Sequence, residues 1–168
     1  MSWKDFYRRR DVMETVLRLA ARDPEAPLPF TEVPDAEHAF GSQEQLLLAL
    51  HYKWTQILGG HLRTELTKDA DHVDAVTSAW RTAVRGNPTL RAVLDANLDR
   101  CPALRPLHEA EVRMLAVAAG LADAGEPTTE VTKVGIAFDA LLRQRLQPRR
   151  ARTRGPMGQL LRMLAPSA

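Results

Sequence analysis

A lone cysteine, Cys101, leaves the 168-residue chain without an intrachain disulfide and without a cysteine-built metal knuckle. Beside Pro102, with no base adjacent in sequence, it reads as a structural thiol rather than a nucleophile. No run approaches the ~18 uninterrupted apolar residues of a membrane span. The opening Met1-Ser2-Trp3-Lys4-Asp5 lacks the apolar segment of a signal peptide, so the expectation is a cytoplasmic protein with no membrane partner. The chain also lacks G-x-S-x-G, a phosphate-cradling glycine loop and H-E-x-x-H, which disfavours an enzyme and calls for no cofactor. Neither period-two alternation nor an internal repeat is present, which removes sheet and solenoid architectures.

Acid is missing from the end of the chain. From Arg143 onward there are seven arginines and no Asp or Glu, while Lys4, Arg8, Arg9 and Arg10 meet only Asp5 among the first ten residues. The net charge of +2 therefore hides an acidic body between two basic ends. Arg8, Arg9 and Arg10 at one end and Arg149, Arg150, Arg152 and Arg154 at the other are the candidate nucleic-acid contacts. Flexible arginines of this kind meet phosphate rather than base edges, so any such affinity is expected to be non-specific and salt-dependent. Solvated tails that keep the protein dispersed are the alternative reading.

What is present is an ordinary globular composition, 45% apolar and 26% charged, in a length that suits one core. Apolar spacing predicts helices nearly throughout, punctuated by Pro and Gly. A first helix runs over about 9–22, with Val12, Val16, Leu19 and Ala20 on one face. Pro24, Pro27, Pro29 and Pro34 then interrupt the pattern, and residues 24–40 are expected to form no helix pair able to enter a major groove. Ser42 and Gln45 have the spacing of a reciprocal cap opening a long core helix, whose Gly59-Gly60 suggests a bend or a close helix contact. Further helices are predicted from about Asp71 to Arg85, from an Asn87 cap and Pro88 through Leu98, from Leu107 to Ala119, and from about Val131 to Leu146. The sum is an all-α, single-domain bundle of about six helices. Residues 1–41 form an N-terminal helix with a Pro-rich segment, 42–147 the bundle and 148–168 a basic tail. Within that tail, Met157 to Leu164 is a short apolar stretch suited to a partner's groove or to its own bundle.

Five histidines raise the question of a metal. His61 and Glu65 share one helical face, with Asp69, Asp71 and His72 following, but a helical metal site wants such a pair on each of two helices, and none is expected here. His51, Tyr52 and Trp54 crowd one turn of the long helix and, with Trp80, are the candidate ligand-binding residues. Flat rings beside one or two hydrogen-bonding atoms suit a small-molecule pocket, with ordinary core packing as the competing explanation.

The run Phe40-Gly41-Ser42-Gln43-Glu44-Gln45-Leu46-Leu47 resembles the segment that closes the helix-turn-helix and opens the connecting helix in TetR-family transcriptional regulators. Asp11 to Ala21 is similar to that family's first helix, and residues 87–115 resemble in style its ligand-binding bundle. Glu37 stands where the family places a tyrosine, and Gln43 where it places a phosphate-contacting lysine. The resemblance implies a TetR-like bundle, a homodimer through the last two long helices, and a regulatory protein acting through a ligand or protein partner with weakened DNA reading. A working DNA-binding regulator is the alternative it implies. Ala116, Ala118, Ala119, Gly120, Gly135 and Ala137 are the small residues that would allow close approach at such a dimer.

Overall fold

The computed structural model describes residues 3–68 and 71–146. Among them are seven α-helices, one 3-10 turn at Pro102–Leu104 and no strand. The helices are α1 (Trp3–Ala20), α2 (Ala36–Phe40), α3 (Gln43–Leu66), α4 (His72–Gly86), α5 (Pro88–Asn97), α6 (Arg105–Ala118) and α7 (Thr128–Leu146). The expected six become seven because α2, five residues long, fits into the six residues left between Pro34 and Gly41. The segment 24–40 thus holds one short helix and no helix pair. α1 starts at Trp3, six residues before the predicted onset. Its first turns carry the exposed Trp3, Phe6 and Tyr7, which belong to no inward stripe.

The Phe-Gly-Ser run is a helix end followed at once by a helix start. Gly41 takes a φ of 73° and donates its N–H to Glu37 O at 2.7 Å, closing α2 in a conformation that a Cβ would strain. Ser42 then accepts the Gln45 N–H on Oγ at 3.2 Å and opens α3. Asp71 opens α4 in the same way, accepting from Val73 and Asp74 at 2.9 and 3.2 Å. Asn87 does not cap α5 with its side chain: its Nδ2 reaches back to Ala83 O at 3.2 Å, and Pro88 alone marks the new start.

One apolar core binds the elements. Leu46, Leu47, Leu50, Trp54 and Leu58 of α3 pack with Val76, Ala79 and Trp80 of α4, Leu90 and Val93 of α5, and Leu115 of α6. Val12 and Val16 of α1 belong to the same cluster, as do Leu28, Val33 and Phe40 of the connecting segment, so the N-terminal stretch is seated on the bundle. The glycines act differently from expectation. α3 runs unbroken through Gly59-Gly60, and a Cβ added to Gly60 would meet nothing within 4 Å, so that pair marks no close helix contact. The close approach lies at Gly135, where a Cβ would overlap the Val112 carbonyl of α6. Gly135, Ala116 and Ala119 are thus committed to packing within the chain, whereas Ala137 stays exposed on α7.

Candidate functional site

Burial of charge marks the place where this bundle departs from a simple apolar core. Glu111 of α6 is only 5% exposed, as is Arg91 of α5. Arg91 Nη1 donates to Glu111 Oε1 at 2.7 Å, and the indole N–H of Trp54 donates to the same oxygen at 3.0 Å. The guanidinium also stands over the Trp54 ring, 5.2 Å from its centroid. Arg91 Nη2 continues to Asp95 Oδ1 at 2.7 Å. From Asp95 the chain of contacts crosses to α7, where Arg143 Nη1 meets Asp95 Oδ2 at 2.8 Å and Arg143 Nε meets Asp139 Oδ2 at 2.6 Å. A continuous line of paired charges therefore runs from α6 through α5 to α7.

The other oxygen of Glu111 is differently placed. Oε2 faces His51 Nε2 of α3 at 3.4 Å, too poorly aligned for either atom to count a hydrogen bond. Both atoms are closed to solvent, while the residues His51 and Glu111 border a cleft between α3 and α6 with a volume of about 620 Å³. Leu48, Ala103, Pro106, Leu107 and Met114 make its walls apolar, with Tyr52, Thr55 and Ala110 completing the lining. On the far side of His51 the Thr55 hydroxyl lies 3.5 Å from Nδ1. The order hydroxyl, imidazole, carboxylate has the outline of a nucleophilic triad, but the Thr55 proton is donated to His51 O at 3.0 Å within the helix. The hydroxyl is thereby held as an acceptor toward the ring, not poised for attack.

Electrostatics favour the charged forms. Burial would raise the Glu111 carboxyl, but His51, the Arg91 charge and the Trp54 donor outweigh it and hold the group at about 2. Asp95 is half-buried and lies below the usual carboxylate range because Arg91 and Arg143 flank it. The same partners raise Arg91 and Arg143 against the desolvation that opposes them. His108, one turn before Glu111, is lowered by burial despite the carboxylates nearby.

The candidate residues read from the sequence divide accordingly. His51 and Tyr52 border the cleft and Trp54 sits beneath it, holding Glu111, whereas Trp80 lies in the core on α4 and takes no part in the lining. Arg8 pairs with Asp5 at 3.3 Å, and Arg9 stacks over Phe40 at 4.7 Å. Arg10 meets Asp11 and Glu14 at 3.2 and 3.7 Å. These three are engaged by their own chain, while Arg149, Arg150, Arg152 and Arg154 lie outside the described residues. Arg143, grouped by sequence with the basic end, belongs to the buried network. Near His61, Glu65 is taken by Lys68 at 2.7 Å and Asp71 by the start of α4, and no group of three metal-ligating side chains converges among the described residues.

Five residues of the network, Arg91, Asp95, Glu111, Asp139 and Arg143, escaped the sequence reading. Arg91/Asp95 and Asp139/Arg143 are four apart, which was visible, but that spacing is equally that of a surface pair. Trp3, Phe6 and Tyr7 also went unnoticed. They stack on one another at the exposed start of α1, where spacings of three and four residues would have joined them.

Because the Glu111 carboxyl lies lower in the folded chain than its ordinary value of 4.5, its contribution is complete above that pH and lost as pH falls toward about 2. Glu111→Gln should cost roughly 3–5 kcal/mol at neutral pH, the penalty for stranding a buried charged partner. In urea melts the gap between variant and native protein should close below pH 4.5. A gap that stays constant from pH 7 to pH 2 contradicts the pairing.

Comparison with protein-family models, with curated proteins and with solved structures finds no match for this chain. Its functional reading rests on the cleft and the charges beneath it.

Proposed function

We propose that the chain is a non-enzymatic helical binding protein of TetR-like regulatory type, which takes a small molecule in the cleft between α3 and α6. The observation that carries this reading is a cleft of about 620 Å³ between α3 and α6 with apolar walls from Leu48, Ala103, Pro106, Leu107 and Met114 and a few polar side chains, His51, Tyr52 and Thr55, at its border. An apolar concavity with a few polar groups at its border is the usual form of a small-molecule site. The site lies on two helices held by the central core, so its geometry is fixed before the ligand arrives.

DNA reading is weakened in this proposal. The five-residue α2 offers a single turn where a recognition helix would be needed, and Glu32, Asp35 and Glu37 make that segment acidic. Phosphate contact, where it occurs, falls to the basic C-terminal arginines. The ligand's effect would instead pass to a second copy of the chain or to a protein partner. α7 presents Ile136, Ala137, Ala140 and Leu141 on its exposed side, directly behind the Asp139 and Arg143 that end the charge network. A homodimer through this face joins the cleft to the interface by one hydrogen-bonded line. Sedimentation at micromolar protein should then show about twice the 18.7 kDa of the monomer, and Leu141→Glu should return it to monomer; a monomeric native protein refutes the dimer.

The cleft is tested by filling it. Ala110 is exposed at the rim, so Ala110→Trp occupies the space without disturbing the core. An apolar probe such as 1-octanol should raise the melting temperature of the native protein and leave that of the variant unchanged. Equal shifts in the two proteins would place the probe elsewhere and remove the function from this cleft.

A further inference from the structure

We infer that α7 joins a second copy of the chain antiparallel along its exposed stripe, so that Ile136 rests on the partner's Ala140 and Lys133 meets the partner's Gln144. The inference rests on the homodimer through α7 and goes further by fixing its direction and register.

Along α7, Lys133, Ile136, Ala137, Ala140, Leu141 and Gln144 are exposed, at alternating steps of three residues and one that keep them on one helical face. The stripe is symmetric about its middle. At about 3.6 residues per turn, Lys133 and Gln144 fall on its centre line at the two ends, Ile136 and Ala140 on one edge, and Ala137 and Leu141 on the other. Each edge therefore carries one large residue and one small one, four residues apart. Ile136 and Leu141 are 53% and 55% exposed, and an identical surface can cover both at once, as a two-fold interface requires. The alanines between them let the two helix axes approach.

Shape alone permits two directions. In a parallel pair Ile136 rests on the partner's Ala137, and in an antiparallel pair on the partner's Ala140. Charge decides between them. Parallel packing brings the two Lys133 ammonium groups together on the centre line, like charge against like in a closing interface. Reversal sets Lys133 opposite the partner's Gln144, whose side-chain carbonyl can accept from it. It also brings Glu130 to the same edge as the partner's Arg145, about two residues or ~3 Å apart along the axis, so opposite charges meet. Lys133 already reaches Glu130 of its own helix at 2.8 Å, but both side chains are more than half exposed and such a pair is weakly held. The helix dipoles agree, because reversal places the N-terminal end of each α7 beside the C-terminal end of the other.

The experiment is oxidative cross-linking of the full chain at micromolar concentration, mixing two single-site variants of which one carries a tag that marks the mixed product by size. The substituted positions are exposed, so the fold is not at stake, and the native chain with its buried Cys101 supplies the background. Ile136→Cys mixed with Ala140→Cys should give at least about tenfold more mixed disulfide than Ile136→Cys mixed with Ala137→Cys, because only the first pair comes near the Cβ separation of about 3.5–4.5 Å that the bond needs. Equal yields, or the reverse ratio, would overturn the antiparallel register and leave the homodimer standing. No mixed product from either pair, in protein that sediments at twice the monomer mass, would place the interface away from this stripe and overturn the inference. Native protein that sediments as a monomer would remove the homodimer reading and the inference with it.

Discussion

The ion pair between Arg91 and Glu111 is the constraint around which the rest of this bundle is arranged. Two opposite charges are removed from water at the meeting point of α3, α5 and α6, and their 2.7 Å contact, the Trp54 donor and the Asp95 contact to Arg91 offset that transfer. Buried pairs of this kind are seldom more stabilising than an apolar pair of the same volume, but losing one partner is severe. The pair therefore acts more on specificity than on net stability. It admits one relative placement of the three helices, because any slip of α6 along α3 would strand Glu111.

From that pair the structure extends in two directions. Outward through Asp95 it reaches Arg143 and fastens α7, whose own close packing on α6 is set by the missing side chain at Gly135. Toward the cleft it ends at Glu111 Oε2 and His51, where pairing runs out.

Much of the framework was legible in the chain because it is written in local chemistry. Ser42 and Asp71 start helices by accepting the backbone N–H three residues on, and Pro88 suits a first turn. The core stripe of α3 follows directly from the spacing of Leu47, Leu50, Trp54 and Leu58. α2 was hidden because its five residues are too few to show a period, and the start of α1 because its aromatic rings face outward. The network was hidden for a deeper reason. Arg91 and Glu111 are 20 residues apart, and a charged residue destined for burial carries no mark that separates it from one facing solvent. His51, Tyr52 and Trp54 were visible as a cluster of suitable side chains; the carboxylate that gives them a chemical purpose arrives only through the fold.

The central claim is that Glu111 is ionised and ion-paired inside the protein, and a pH titration of its side-chain carboxyl carbon by NMR tests this most directly. The account predicts a midpoint of about 2, with the resonance returning toward a later midpoint when Arg91 is replaced by Met. A midpoint at or above the ordinary 4.5 in the native protein would mean that burial prevails over Arg91, and would remove the pairing.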